Sequence, residues 1–321
     1  MKAVVTGGAG FVGSNLVRRL VALGHAVTVL DGMIEGSGAN PANLADVEGG
    51  LIECLHVDLA DAVGWHKAVA GADSIFHLAA QTGHEASMRE PLEDLKANAV
   101  ATLRLLAAVR EVAPQAAMVF TSTRQVYGRP QVLPVSEAHP LAPPDINAVH
   151  KMAAEEYLRI AGRVDGRASV VLRLTNTYGP GMRVRDARQS FVGYWVRLAL
   201  EGQDIPVYGD GEQVRDLTYV DDVVDALIDA LPIAATSSPR FNLGGDVASL
   251  LAIAQQIIAA AGAGSYRLVP FPEERQRIDI GSFRADDSAF RTASGWAPRV
   301  SWREGIRRTV EYYRSRRKAY W

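Results

Sequence analysis

Only one cysteine, Cys54, occurs in the 321 residues. A lone cysteine cannot close an internal disulfide, which fits a reducing compartment. It lies in the apolar stretch Leu51 to Val57, so the expectation is a buried, inert thiol. Long blocks of one charge are also missing: charged residues make up 22% and the formal net charge is -2. That balance argues against a general polyanion binder and so against nucleic acid as a partner. The basic run Arg314-Ser315-Arg316-Arg317-Lys318 is short and reads as solvated surface. Apolar runs are too short, or too interrupted by charge, to span a bilayer. No charged leader with an apolar core precedes the strand-like Lys2 to Thr6. No membrane partner is expected, and the expected compartment is the cytoplasm. The seven histidines show no metal-ligand spacing and have no second cysteine to assist, so no metal is expected. There is no internal repeat or low-complexity tract.

What the chain does have is apolar content, 48% of its residues. That suffices for a sizeable core and points to one large domain with a smaller lobe. In the first half, short β-branched runs recur at Ala3 to Thr6, Ala26 to Leu30, Ile52 to Val57, Ser74 to Leu78, Met118 to Thr121 and Ser169 to Leu174. Amphipathic stretches such as Leu16-Val17-Leu20-Val21 and Leu103-Leu106-Ala107-Val109 lie between them. Strand, helix, strand in this order implies parallel pairing with right-handed crossovers, hence an α/β, doubly wound parallel sheet. After Gly179-Pro180-Gly181 the rhythm changes. Phe191 to Leu200 reads as a helix, Ile205 to Val207 as a short strand, and Asp221 to Leu231 as a helix with an acidic first turn. Phe241 to Leu243 could return a strand to the main sheet. The expected division is a nucleotide-binding domain over 1–180, with 221–243 returning to it. A discontinuous α/β substrate-binding lobe then comprises 181–220 and 244–321.

Thr6-Gly7-Gly8-Ala9-Gly10-Phe11-Val12-Gly13 follows the first strand and opens a helix. Two glycine spacings fit a phosphate-cradling turn: Gly7, Gly10, Gly13 and Gly8, Gly10, Gly13. Glycines permit the tight turn and let backbone amides approach a pyrophosphate. The helix N-terminus adds unpaired N–H groups and a favourable dipole. The next strand ends in Asp31, close to the roughly 20-residue distance at which an acid meets the adenosine ribose. A carboxylate there accepts from the ribose hydroxyls and repels a 2′-phosphate, which favours NAD over NADP.

With these residues in place the chain resembles the extended short-chain dehydrogenase/reductase family, the group of nucleotide-sugar epimerases and dehydratases. The resemblance covers nearly the whole chain and implies a Rossmann sheet. Within it, Thr6 to Gly13, including Phe11 and Val12, is similar to the family's glycine turn. Asp58-Leu59 is similar to the acid–aliphatic pair that meets adenine. His77-Leu78-Ala79-Ala80-Gln81 resembles the segment passing under the cofactor, and Asn98 a structural asparagine. Thr121-Ser122-Thr123 with Val126-Tyr127-Gly128 resembles the strand end carrying the catalytic hydroxyl, which falls on Thr123, with Ser122 on the cofactor side. Asn176-Thr177-Tyr178-Gly179-Pro180 and Arg215-Asp216-Leu217-Thr218-Tyr219 resemble segments whose asparagine and arginine stand near substrate phosphates. Arg277 matches a second such arginine. Guanidinium forks suit the two phosphates of a nucleotide-diphosphate sugar.

The chain departs from the family at one central place. Family members carry a tyrosine four residues before a lysine on one helix face; the lysine holds the cofactor ribose and lowers the tyrosine pKa. Here the lysine is Lys151 and the tyrosine position holds Asn147. An amide neither gains nor loses a proton near neutrality, so Asn147 cannot be a general base. Another group could move the proton: His150, whose side-chain type titrates in the right range, Thr123 with or without water, or His84, Tyr178 or Tyr219. Alternatively catalysis is slow or substrate-assisted, with Asn147 only orienting the sugar. A third reading is binding without turnover.

Family dehydratases and decarboxylases carry acids just after the catalytic hydroxyl, whereas Thr123 is followed by Arg124 and Gln125. The resemblance therefore implies NAD-dependent epimerisation of a nucleotide-diphosphate sugar, with C4 the expected carbon by analogy alone. A nucleotide-sugar 4-ketoreductase and a non-catalytic NAD and nucleotide-sugar binder are the alternatives. Arg183, Arg185 and Arg188 follow the Asn176 motif and are expected at the substrate mouth, where they could meet phosphates or a sugar carboxylate. His84 and Ser87 are expected to face the sugar ring. A homodimer through a four-helix contact is implied by the same resemblance.

Overall fold

The computed structural model describes residues 1–34, 36–47, 50–61 and 64–321. Seven parallel strands form the main sheet: β1 (Lys2–Thr6), β2 (Ala26–Asp31), β3 (Ile52–His56), β4 (Ser74–His77), β5 (Ala117–Thr123), β6 (Ser169–Leu174) and, after three strands elsewhere, β10 (Arg240–Leu243). Their spatial order is β3-β2-β1-β4-β5-β6-β10. The chain reverses its direction of travel across the sheet between β1 and β4, and in open α/β sheets ligands bind outside the strand ends at that crevice.

Alternation along each strand sends side chains to two separate cores. Ala3 and Val5 pack with Leu16, Val17 and Leu20 of the helix Phe11–Ala22 and with Val223 and Leu227 of the helix Val220–Ala230. Val4, Ile75, Met118 and Phe120 pack with Leu105 and Val109 of the helix Ala101–Val112 and Leu158 of the helix Ile146–Asp165. Each of these fully buried aliphatic side chains stabilises the fold by about 1.5–3 kcal/mol. The helix Ile146–Asp165 starts at Asp145, whose carboxylate accepts from Ala148 N at 2.8 Å, and ends at Gly166 with φ +68°. Both are ordinary helix stop and start devices.

The other strands form two small sheets. In the first, β7 (Asn176–Tyr178) runs parallel to β9 (Val214–Tyr219), and β11 (Asp246–Ser249) pairs antiparallel with β9. In the second, β8 (Asp204–Tyr208) runs parallel to β12 (Ser265–Val269). The helix Trp302–Arg314 brings Tyr313 onto the carbonyl of Met182, 2.7 Å from its hydroxyl. Tyr320 then donates to Asn43 Oδ1 at 2.6 Å. Asn43 in turn donates from Nδ2 to the carbonyls of Ala9, at 3.0 Å, and Gly181, at 3.1 Å.

One expectation needs correction. Cys54 is exposed, because β3 is the outermost strand of the sheet and none of its residues is fully buried. Partial burial and then the Asp31 carboxylate push its thiol up, so the thiolate is disfavoured. Among the described residues no helix is long and apolar enough to cross a membrane, and no three potential metal-ligating side chains cluster together.

Candidate active site

The switch-point crevice is built first by the turn after β1. Gly7 has φ +70°, and a Cβ on it would lie 2.7 Å from the Ala79 amide nitrogen. A Cβ on Gly13 would lie 2.1 Å from the Gly7 carbonyl oxygen. Glycine is thus required where the turn lies against the β4 loop and where the helix packs on the turn. Gly10 occupies the N-cap; no side chain caps this helix and its first turn holds no acid. Its terminal N–H groups and positive end can therefore serve an anion. Phe11 is buried and Val12 half-buried behind this turn.

Asp31 ends β2 and fixes the far side. Its Oδ2 accepts from Ala9 N and its Oδ1 from Met33 N, both at 2.9 Å. Each oxygen keeps a lone pair for a ribose hydroxyl. A cavity of about 250 Å³ lies alongside, lined by Ala9, Val29, Asp31, Met33, Leu44 and Leu55 among others. On the next loop Asp58 accepts from Ala60 N at 2.8 Å and Leu59 is buried. This donor set fits the pyrophosphate and adenosine of a dinucleotide.

Behind the Leu78-Ala79-Ala80-Gln81 segment stands a polar network. His77 bridges Thr6 Oγ1, at 2.8 Å, and Thr102 Oγ1, at 3.0 Å. Thr6 Oγ1 also accepts from the amides of Leu78 and Ala79, which fixes the loop's start. A π-helical turn, Lys96–Val100, follows the short helix Pro91–Leu95, and such turns often reset side chains at functional sites. Here it points Asn98 inward, where Nδ2 donates to the Gln81 carbonyl at 3.1 Å and to Asp94 Oδ1 at 3.0 Å.

Asp94 is the hub that sequence reasoning missed. It is fully buried and receives three side chains. Besides Asn98, Asn147 donates from Nδ2 to Asp94 Oδ2 at 3.0 Å and to the Gln81 carbonyl at 2.7 Å. His150 Nδ1 lies 2.7 Å from Asp94 Oδ1. Both amide protons of Asn147 are therefore given to this network, while the Nε2 of His150 is the ring nitrogen left for other work. Lys151, one residue further along the helix, donates to the Thr121 carbonyl at 3.0 Å and lies 4.7 Å from the Phe120 ring centroid. Burial pushes its ammonium down to about 8, against the pull of Asp94 and Glu155.

At the end of β5 the side chains part. Thr123 is half-buried, and its Oγ1 accepts from Gln125 N at 3.1 Å. Ser122 points the opposite way and donates to Glu155 Oε1 at 2.5 Å, joining the buried Glu155–Arg173 ion pair, which is 2.6 Å at its shortest. Its hydroxyl is thus taken up by Glu155, because successive strand residues alternate. Gln125 is buried and donates to Asp145 Oδ2 and the Ile278 carbonyl, both at 3.1 Å.

The residues expected around the substrate scatter more widely. Ser87 is buried; its Oγ donates to the His84 carbonyl and accepts from Asn147 N, which satisfies a first-turn amide of the long helix. His84 Nδ1 lies 3.0 Å from Asp145 Oδ2. Burial raises the Asp145 carboxyl, but contacts from His84, Ala148 N and Gln125 outweigh it and hold the group below its usual range. Asn176 lies on β7 with a buried Oδ1 that has no partner among the described residues. Arg215 is buried and engaged by Asp279, Gly281 and Gln213. Arg183 forms a two-point pair with Asp186, whereas Arg185 is exposed. Arg277 is exposed and pairs with Glu273 on its own turn. Its neighbour Arg275 faces inward instead, 2.6 Å from Glu85 and donating to the Tyr208 hydroxyl. Tyr178 and Tyr219 are buried against the helix Trp302–Arg314, and burial drives both phenols far up. Neither can act as the proton acceptor.

A model of the NAD dependent epimerase/dehydratase family matches residues 3–244. The UDP-glucose 4-epimerase of Mycolicibacterium smegmatis is 33% identical, covering 98% of this chain and 99% of that protein. The UDP-glucuronic acid decarboxylase 1 of Xenopus tropicalis is 32% identical over 98% of this chain and 72% of its own length. Among solved structures, a Thermus thermophilus UDP-glucose 4-epimerase in complex with NAD superposes with a TM-score of 0.86. It is 30% identical, covering 98% of this chain and 99% of that one.

Proposed function

Because the chain belongs to the NAD dependent epimerase/dehydratase family, we propose that it epimerises a nucleotide-diphosphate sugar, with C4 as the carbon inverted. The observation that carries this reading is the pair after Thr123. Arg124 holds its proton, and the amide of Gln125 is bound to Asp145 and Ile278. Neither can shuttle a proton beside a keto-sugar, as dehydration or decarboxylation requires. Bound NAD supplies a hydride acceptor that becomes the hydride donor for the return step. The turn Gly7 to Gly13, Asp31 and Lys151 hold it.

His150 is the proton acceptor in this proposal. Asp94 fixes its Nδ1 and leaves Nε2 to take the sugar hydroxyl proton, directly or relayed by Thr123 Oγ1. Asn147, standing where the family carries tyrosine, orients the Gln81 loop through its two donated protons. Asn176 and Arg215 meet the diphosphate, and Arg183, Arg185 and Arg277 lie along the approach to it. That same engagement of Asn147 favours a second reading, in which NAD and nucleotide sugar bind without turnover. The homodimer is proposed to form through the helices that expose Leu92, Leu95, Leu103, Val149, Ile160 and Val164.

The test is proton NMR on UDP- and dTDP-linked sugars with the purified, NAD-loaded protein. Conversion at C4 without net redox change is expected, and His150→Ala should slow it by about 10²–10⁴-fold. Net oxidation of added NADH points to a 4-ketoreductase. Wild-type rates in both His150→Ala and Thr123→Val remove both proposed proton carriers, and binding with no conversion of any sugar leaves the non-catalytic reading.

A further inference from the structure

Arg124 is the charged side chain at the crevice that the mechanism does not use. It follows Thr123 directly and begins the 3-10 turn Arg124–Tyr127 at the end of β5. Its guanidinium carbon lies 5.6 Å from the centroid of the Phe283 ring. Its Nε is buried with no hydrogen-bond partner among the described residues. Asp216 and Asp279 attract it only through space, and Arg215 stands close enough to repel it. Burial and that repulsion push the guanidinium down to about 10.

The contrast with Arg215 is informative. Arg215 gives its fork to Asp279 Oδ1 at 3.2 Å, Gly281 O at 2.9 Å and Gln213 Oε1 at 2.8 Å. Arg124 has no such set. Cations taken out of water are paired in folded proteins, since an unpaired one loses its hydration without return. Arg124, with its Nε donor unmet, is a receptor that an anion would complete.

We propose that Arg124 takes a carboxylate carried on the sugar ring, so that the preferred substrates are nucleotide-linked sugar acids. This rests on the nucleotide-sugar reading above. The position selects a ring carboxylate over a phosphate. Arg124 is adjacent in the chain to Thr123, the hydroxyl assigned to the ring, and both belong to the strand end of the main sheet. The residues assigned to the diphosphate, Asn176 and Arg215, come from β7 and β9 of the three-stranded sheet. A planar guanidinium also matches a carboxylate edge-on with two parallel hydrogen bonds.

The experiment is calorimetric titration of the NAD-loaded protein with UDP-glucuronate, UDP-glucose and UDP, for the wild type, Arg124→Gln and Arg124→Lys. The wild type should bind UDP-glucuronate at least about tenfold more tightly than UDP-glucose. Arg124→Gln should abolish that preference while leaving the UDP affinity within about twofold. Arg124→Lys should keep the charge, lose the fork and retain part of the preference. Equal wild-type affinities for the two sugars overturn the inference, as does an equal loss of UDP and UDP-glucuronate affinity in Arg124→Gln, which would assign Arg124 to the diphosphate. Should Arg124→Gln fail to fold by thermal melting, the wild-type comparison decides alone. NMR on the same samples separates the two readings. Preference for the sugar acid without conversion sinks epimerisation and keeps this inference, and conversion with equal affinities does the reverse.

Discussion

His77 is a buried base held between two threonine hydroxyls, Thr6 and Thr102. Burial, and then the Lys151 charge, push its pKa down to about 3. In the unfolded chain the same imidazole titrates near 6.5. Between those values the unfolded chain binds a proton that the folded chain refuses. The contribution is therefore complete above about pH 6.5 and is lost as pH falls toward 3, at about 1.4 kcal/mol per pH unit. Urea denaturation should show about 2 kcal/mol lost through this residue between pH 7 and pH 5. His77→Gln should flatten that slope relative to the wild type, and identical slopes in the two proteins would contradict the assignment. At this scale the sequence was only partly legible. Asp31 and the glycines announce themselves by spacing. Asp94 does not, because Glu90, Glu93 and Asp94 look alike in a row, and only the π-helical turn and partners 53 and 56 residues away decide which carboxylate goes inside. Alternation along β5 likewise directed Ser122 to Glu155, a partner that periodicity cannot name.

Among elements, the turn between β1 and its helix is the most tightly constrained. Gly13 sits where a Cβ would meet backbone, and backbone cannot rotate aside as a side chain can. Gly13→Ala should destabilise the protein by about 1–3 kcal/mol. It should also weaken NAD binding, since the helix start must shift away from the anion. Chemical denaturation and a fluorescence titration with NADH would check both, and an unchanged NADH affinity would show that the turn does not cradle the cofactor. The strands of the main sheet could be read from the sequence within a residue or two, because burial leaves β-branched runs, whereas the helices between them showed only their apolar stretches. Phe191–Leu200 and β10 were legible for the same reason. The networks between elements were not, since they depend on which loops meet.

For the molecule as a whole, the helices flanking Asp94 and Lys151 carry an apolar outer face. Leu92 is 71% exposed, Val164 66%, Leu103 48% and Ile160 42%. Water contact over so many aliphatic groups is unfavourable, and a second copy would cover them. Leu103→Glu with Ile160→Glu should convert a dimer to a monomer in analytical ultracentrifugation at micromolar concentration. A wild type that sediments as a monomer would refute the homodimer.

The bond from Tyr320 to Asn43 joins residues 277 positions apart, and Asn43 braces the Ala9 carbonyl beside the cofactor turn. The glycine turn thus leans, through one asparagine, on a side chain far along the sequence. Tyr320→Phe would remove that hydroxyl and leave every residue of the turn in place, separating the support of the cofactor cradle from its shape.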